Sequence, residues 1–572
     1  MKSKKSSRSR NKTVAAPIVQ EVILEPVVPV SAPKSEEKVI KEVLAIKQPN
    51  RLFLLVLLLG WIYDFLFWEQ SAGLNFALLS VLCLIGGLYL LPPEGYSPAR
   101  NNLWLLIPFG FFAVITFVRQ ESLTLFFAYT LTLFTIGLFA TSYLGGHWYL
   151  YRLSNYIHKF WLLIGDAITR PFRLFTQLYK TSSELDQDKN DFRIIGLIRG
   201  IIIALPILLL FGSLLASADL VFNQKLDNVF ETEKIGEYIQ RFIQIIIFAF
   251  LLAGTFLHIM TRSSDEKILE EDKPLFKPFL GFAESIVILG SVLFLFLAFV
   301  IVQFQYFFGG QTNIGVEGYT YSQYARRGFN ELVTVAFFSL VLILGLSTLT
   351  RRERENQKKI YSGLSVGVVI LLMVILVSAY QRISLAIDWH GFSRLRLYPR
   401  VFLIWLGILL VAVVILEIYR RERYFAFAAV LGAIGFAVSL ILVNVDAAIV
   451  IHNVPRTLHG KNLNVAHLAS LSVDAVPALV DEFYSDKYPE WVHEGVGAAL
   501  TCYLHFDSLP GAYQEDWRSF NLSRWRAHNA LQNIEKDLQN YGINAERSWA
   551  VKVRTPSNVW YGCRYYESSQ EE

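Results

Sequence analysis

The chain has 572 residues, of which 53% are hydrophobic, 14% aromatic and only 18% charged, and its formal net charge is +5. This composition departs from that of soluble globular proteins toward that of helices that face lipid, so we predict a membrane protein. The weak positive charge gives no reason to expect a nucleic-acid partner, and in a membrane protein the positions of Lys and Arg matter more than their sum.

Residues 1–50 are predicted to be a disordered, basic, cytoplasmic tail. A Val, Pro and Glu-rich run that follows the basic residues lacks the pattern of a folded core. No apolar stretch with a small-residue cleavage site is present, so we expect an uncleaved first span. The basic cluster is either a solvated topology signal or a contact to anionic cytoplasmic lipid. Its residues are Lys2, Lys4, Lys5, Arg8, Arg10 and Lys12.

Eleven apolar stretches follow, each long enough to cross the roughly 30 Å hydrocarbon core of a bilayer as a helix. They predict an all-α, polytopic transmembrane bundle. The predicted spans are Leu52–Trp68, Leu74–Leu91, Leu103–Val118, Leu123–Leu144, Ile194–Ala218, Phe242–Met260, Phe279–Phe304, Phe329–Leu349, Ile360–Tyr380, Val401–Ile418 and Tyr424–Val445.

The distribution of basic residues predicts the orientation of these spans in a cell membrane. With the N-terminus inside, the inner connections carry twice as many Lys and Arg residues as the outer ones, as the positive-inside rule requires. An odd number of spans then places the C-terminal tail outside. An exoplasmic tail permits a disulfide between Cys502 and Cys563, and the alternative is two free thiols in a cytosolic tail.

Composition divides the chain further. Aromatic and basic residues alternate after the fourth span, which is typical of amphipathic helices in the inner interface. The tail contains three helical patterns separated by Pro and Gly, so we expect a small, soluble helical domain there. The predicted divisions are the tail 1–50, a four-span segment 51–144, cytoplasmic interfacial helices 145–193, a seven-span core 194–445 and an exoplasmic C-terminal domain 446–572.

Ionisable residues near membrane depth are the main functional signal, because a central charge costs roughly 2.5 to 3.5 kcal/mol on insertion scales. They concentrate at the outer ends of several spans, where Arg suits forked contacts with carboxylates or phosphates. Either these groups pair and lock the helix ends together, or unpaired Arg side chains hold an anionic headgroup or solute. The candidate binding residues are Asp219, Arg326, Arg327, Glu331, Asp388, Arg394, Arg396 and Asp446.

No catalytic or metal-binding motif is evident. His493 and Glu494 resemble the start of a zinc-binding helix, but position 497, where the second His belongs, is Gly. Phosphate-binding loops, dinucleotide fingerprints, nucleophile elbows and kinase motifs are also missing from the sequence. We therefore predict no metal, no cofactor and no catalytic residues.

Five segments stand out, namely Gly196–Phe222, Tyr324–Glu331, Arg394–Tyr398, Asn444–Asp446 and Leu471–Leu479. In combination they resemble a bacterial multi-pass membrane family catalogued only as a domain of unknown function, the four-one-seven-three group. The resemblance spans about Ile194 to Leu479 and leaves the four N-terminal spans outside. The later segment from Asp516 to Arg524 resembles the end of the family's sequence. The resemblance implies a bacterial inner-membrane protein and carries over no catalytic residue.

Three functional hypotheses remain. The first is a non-enzymatic protein whose Arg-rich outer mouth binds a polar or anionic ligand such as a lipid headgroup. The second is a scaffold or signalling protein whose C-terminal domain docks a partner protein while the outer charges tie helices together. The third is a membrane transferase, for which Asp219 or Asp388 would act as base.

Overall fold

The computed structural model of the chain describes residues 46–184, 232–264, 279–308, 329–351, 354–511, 516–545 and 551–563, together with some of residues 200–222. Within this part of the chain, nine helices are long and apolar enough to cross a membrane. The prediction of an all-α, polytopic membrane fold is confirmed. Nine of the predicted spans coincide with these helices, and the predicted span Ile194–Ala218 lies largely outside the described residues.

The bundle contains a further helix, Phe329–Leu349, whose apolar part is shorter, and it coincides with another predicted span. Pro49 begins the first helix, where its fixed φ suits the first turn. In chain order the helices are α1 (Pro49–Phe67), α2 (Leu74–Leu90), α3 (Leu106–Val118), α4 (Ser122–Thr141), α5 (Leu153–Glu184), α6 (Thr232–Arg262), α7 (Phe282–Phe308), α8 (Phe329–Leu349), α9 (Glu355–His390), α10 (Arg394–Ile418) and α11 (Phe425–Val443).

The C-terminal domain follows α11 directly and adds a sheet to its helices. Its helices are α12 (Val445–Asn453), α13 (Val465–Ala469), α14 (Val476–Phe483), α15 (Glu490–Asp507) and α16 (Leu522–Ile534). Three antiparallel strands in the order β1-β2-β3 complete it, namely β1 (Gly542–Asn544), β2 (Lys552–Arg554) and β3 (Trp560–Gly562). The helical part was predicted, but the strands were not, because three residues are too few for an alternating pattern.

A disulfide between Cys502 in α15 and Cys563 beside β3 joins this sheet to the helices. Both cysteines are buried, as is Val553 at the centre of β2. The core of the domain continues into the bundle, where it includes Leu397 of α10 and Leu440 of α11. The domain therefore packs on the bundle as one body with it.

Among the described residues after α4, a short 3-10 turn at Trp148–Leu150 precedes the long helix α5, in the segment for which the sequence predicts interfacial helices. A stripe of apolar side chains on α5 is exposed, whereas the charged residues Lys159, Asp166 and Arg170 are buried against the bundle. The charged face of this amphipathic helix thus points into the protein. The exposed apolar residues are Leu153, Ile157, Trp161, Ile164, Ile168, Phe172 and Phe175.

The two ends of the bundle differ. One end, called the domain end below, carries the C-terminal domain on the loops after α1, α3 and α9; for example, the Leu74 backbone N–H donates to the Phe520 carbonyl at 3.0 Å. At the other end, called the far end, Gly145 N donates to the carbonyl of Ser263 at 3.2 Å. Since α1 runs toward the domain end, Pro49 and the C-terminal domain lie at opposite ends.

Candidate functional site

Arg394 and Asp446, both predicted as binding residues, form a two-pronged ion pair at the domain end. The Nε and Nη2 atoms of Arg394 donate to the two carboxylate oxygens of Asp446 at 2.8 and 2.5 Å. Asp446 is fully buried, while the Arg394 side chain is 30% exposed. The Ser472 backbone N–H donates to Asp446 as well, at 2.7 Å. This pair therefore links the start of α10 with α12 and the C-terminal domain.

Asp474 makes a second link between bundle and domain. Its Oδ2 accepts the backbone N–H groups of Gln120 and Glu121, at 2.9 and 2.7 Å, and its Oδ1 accepts the hydroxyl of Ser523. Asp474 is buried, so these donors replace water around the carboxylate. Gln120 and Glu121 belong to the loop between α3 and α4, which the domain thereby holds.

Glu121 extends the same network. Its carboxylate accepts the backbone N–H groups of Leu123 and Thr124, which caps α4, and it also accepts the hydroxyl of Tyr398 in α10. Glu121 thus lies at the end of the loop between α3 and α4, caps α4 and contacts α10. We call Glu121, Arg394, Tyr398, Asp446 and Asp474 the domain clamp.

The imidazole of His467 lies near the clamp in α13. Burial, followed by the positive charge of Arg394, lowers the pKa of His467. This side chain is therefore neutral at pH 7 and adds no further positive charge to the clamp.

The other candidate binding residues have separate environments. Arg396 donates to the carbonyl of Gly391 at 3.0 Å, and the backbone carbonyl of Asp388 accepts from Arg456 at 2.6 Å. Glu331 is exposed in the first turn of α8. Asp219 is exposed and accepts the backbone N–H of Val221 at 2.8 Å. Arg326 and Arg327 lie outside the described residues.

Three members of the clamp, Glu121, Tyr398 and Asp474, were missed by the sequence argument. Glu121 and Asp474 are 353 positions apart, so no local pattern reveals their contact. The available signals were weak: an acid directly before an apolar span, and an aspartate after Ser472 at the start of a helix.

A second polar cluster lies between α5 and α6. The Oδ2 atom of Asp166 is 2.9 Å from Nε of Arg170 and 2.8 Å from Nδ1 of His258. All three side chains are buried, although α6 is a candidate span. The sequence analysis did not single out Asp166 or His258. Two signals were present: Asp166 lies four residues before Arg170, and His258 lies within an apolar stretch. The Asp166 carboxylate is thus paired with the Arg170 guanidinium and hydrogen-bonded to the His258 imidazole.

The residues that resembled a metal motif are engaged elsewhere. His493 Nδ1 is 2.9 Å from the carbonyl of Phe483, and Glu494 accepts the backbone N–H of Ser557 at 3.0 Å. In the part of the chain that the structure describes, no group of three or more His, Cys, Asp or Glu side chains is placed to hold a metal ion.

Comparison with known proteins gives one match. A family model described as "Domain of unknown function (DUF4153)" matches residues 106–482. No curated protein and no solved structure matches the chain. The match corrects the resemblance in two respects: the family has a different number, and it begins at α3, so α3 and α4 lie inside it. The segment Asp516–Arg524 lies beyond the matched residues.

Proposed function

The chain belongs to the family of unknown function DUF4153, which supplies no activity, and we propose from its geometry that it is a non-catalytic membrane scaffold. In this proposal the bundle anchors the C-terminal domain in a fixed position, and the domain docks a partner protein. The observation that carries the proposal is the domain clamp, in which buried charged groups of the domain are satisfied by the bundle.

The clamp favours a rigid connection for a physical reason. Separating Asp474 from the N–H groups of Gln120 and Glu121 would strand buried donors and a carboxylate, at about 1 to 3 kcal/mol for each unsatisfied group. The Arg394 and Asp446 pair adds a larger penalty of the same kind. A domain held this firmly moves with the bundle.

We propose that the domain end is exoplasmic in a bacterial inner membrane. Two observations support this orientation. The predicted inner connections carry the larger share of basic residues. The disulfide between Cys502 and Cys563 is of a kind that persists in oxidising compartments.

Exposed aromatic residues of the C-terminal domain support a protein partner. Tyr484, Trp491 and Trp560 are 54, 47 and 49% exposed. Aromatic side chains are enriched in protein interfaces because they bury much area at little entropic cost. We therefore propose that these exposed aromatic side chains take part in docking the partner.

Site-specific photo-crosslinking in intact cells tests the scaffold proposal. A photoreactive amino acid replaces Tyr484 or Trp560 in the full chain, and Lys359 at the far end serves as the control position. We expect discrete protein adducts from the two domain positions and none of the same mass from Lys359. Asp474→Ala, which releases the clamp, should weaken these adducts. Identical products at all three positions would refute the proposal.

The two remaining hypotheses have less support. A ligand at the predicted mouth would need guanidinium groups that Arg394 and Arg396 use in protein contacts. A transferase would need Asp219 or Asp388 as its base, and Asp219 accepts backbone N–H groups of its own segment. Both stay predictions.

A further inference from the structure

Three cations lie around the hairpin that joins α9 to α10 at the domain end. Arg400 Nε donates to the hydroxyl of Tyr380 at 3.1 Å, and its guanidinium lies 5.3 Å from the centre of that ring. Lys461 Nζ lies 4.9 Å from the ring centre of Trp389. Arg456 donates to the backbone carbonyl of Asp388, the residue before Trp389. We call Arg400, Arg456 and Lys461 the basic patch.

His452 shows that the two arginines of this patch share one neighbourhood. Its ring stacks on Phe392 with 3.8 Å between ring centres. Burial, then the positive charge of Arg456, lowers the pKa of His452; Arg400 acts in the same direction and Asp388 in the opposite one. Both guanidinium groups are therefore close enough to act on the same imidazole, which is neutral at pH 7.

The positive charge of the patch is not cancelled by ion pairs. Across the described residues, no carboxylate lies within ion-pair distance of Arg400, Arg456 or Lys461. Arg394 on the same hairpin is different, because the Asp446 carboxylate accepts hydrogen bonds from both its Nε and its Nη2 atoms. The three patch cations instead use a phenol, a carbonyl and an indole ring. Asp388 is the acid that opposes the two arginines at His452, so three cations against one acid leave a net positive charge for an anion.

Exposed apolar side chains neighbour the patch residues along the chain. Leu395 and Ile451 are 73 and 58% exposed, and Trp389 and Leu458 are 55 and 51% exposed. Cations whose stems lie beside aromatic rings, at the ends of apolar helices, are typical of the headgroup layer of a bilayer. There, Arg and Lys meet lipid phosphates while neighbouring apolar groups meet acyl chains.

We propose that the basic patch binds the phosphate of an anionic phospholipid headgroup in the leaflet next to the C-terminal domain. The neighbouring apolar residues favour a lipid over a soluble phosphate, which would use the cations and leave Leu395 and Ile451 in water. This site differs from the mouth predicted from sequence, since two of its cations, Arg456 and Lys461, come from the C-terminal domain. It goes beyond the scaffold proposal and does not depend on it.

Native mass spectrometry of the full chain in detergent tests the site. The protein is mixed with equal amounts of phosphatidylglycerol and phosphatidylcholine of the same chain length, and the ratio of bound lipids is measured. We expect the wild type to prefer phosphatidylglycerol and Arg400→Gln/Arg456→Gln to reduce that preference by about fivefold for each cation removed. Arg400→Lys/Arg456→Lys should retain most of it, and excess inorganic phosphate should not displace the lipid.

A matched control removes two other cations from the same end. Arg526 and Lys536 are exposed residues of the C-terminal domain, and Arg526→Gln/Lys536→Gln should leave the lipid ratio unchanged. Lys461 lies outside the helices, so Lys461→Gln should fold and should reduce the preference for phosphatidylglycerol even if the double arginine variant does not fold. An unchanged ratio in the patch variants, an equal loss in the control, or displacement by inorganic phosphate would each overturn the proposal.

Discussion

At the residue scale, the ion pair between Arg394 and Asp446 should contribute to stability because its acid is fully buried. Asp446 has no exposed surface, so Asp446→Ala would leave the Arg394 guanidinium without its partner. Losing one partner of a buried ion pair typically costs about 3 to 5 kcal/mol, and the 30% exposure of Arg394 places the expected cost at the lower end of this range. We expect a loss of this size in the unfolding of the full chain in detergent, measured as a shift in the denaturant midpoint.

The control for this prediction is an exposed acid in the same domain. Asp486 is exposed, and Asp486→Ala should change the stability by less than about 0.5 kcal/mol. Replacing both partners, as Arg394→Met/Asp446→Leu, should recover much of the loss, because the isolated buried charge disappears. Equal effects of Asp446→Ala and Asp486→Ala would contradict the role given to the pair.

At the scale of elements, the packing of α5 on α6 depends on a close backbone approach at Gly254. A Cβ atom at this position would lie 2.1 Å from the carbonyl oxygen of Ala167, so Gly254→Ala must push the helices apart. Overpacking of this kind typically costs about 1 to 3 kcal/mol. The contact between Phe172 and Phe250, whose rings lie 4.8 Å apart, should weaken as well.

Thiol cross-linking measures this separation. Phe172→Cys/Phe250→Cys in a Cys83→Ser background should be joined by a short bifunctional maleimide, and adding Gly254→Ala should reduce the yield severalfold. Gly290→Ala in α7 is the control, since no heavy atom lies within 4 Å of the added Cβ and Ala favours the helix. An unchanged yield with Gly254→Ala would show that α5 is not packed as described.

The same element shows what a sequence can and cannot predict. Long apolar runs predicted the spans well, because crossing a bilayer requires length and hydrophobicity and little else. The pattern of α5 predicted an amphipathic helix, but which face meets protein is decided by α6, whose Gly254 and His258 receive it. The strands of the C-terminal domain depend on the Cys502–Cys563 disulfide and on the pairing of β2 with β3. Both are tertiary contacts that a local sequence pattern does not reveal.

The candidate site was predictable only in part for a related reason. Arg394 and Asp446 were singled out since charges at helix ends are rare and visible in a sequence. Their pairing, and the presence of Glu121 and Asp474 beside them, arises from contacts between segments far apart in the chain. Sequence therefore indicated a polar end of the bundle without distinguishing a binding mouth from a clamp.

At the scale of the whole molecule, the two ends of the bundle predict one orientation. Pro49 and the C-terminal domain lie at opposite ends, so an inside N-terminus requires an outside domain. The basic residues of the far end, such as Arg351 and Arg421, would then face the cytoplasm. The disulfide between Cys502 and Cys563 would lie in the oxidising compartment, where it can persist.

Labelling of one introduced cysteine at a time in intact cells tests this orientation, with Cys502 and Cys563 held in their disulfide. In a Cys83→Ser background, Ser508→Cys in the C-terminal domain and Lys359→Cys at the far end place exposed thiols at opposite ends. A membrane-impermeant maleimide should label Ser508→Cys in intact cells and Lys359→Cys only after permeabilisation, with a difference of about tenfold or more because a charged reagent crosses hydrocarbon poorly. The reverse pattern would invert the topology and place the disulfide in a reducing cytoplasm, which would contradict both the exoplasmic domain and the basic-residue argument.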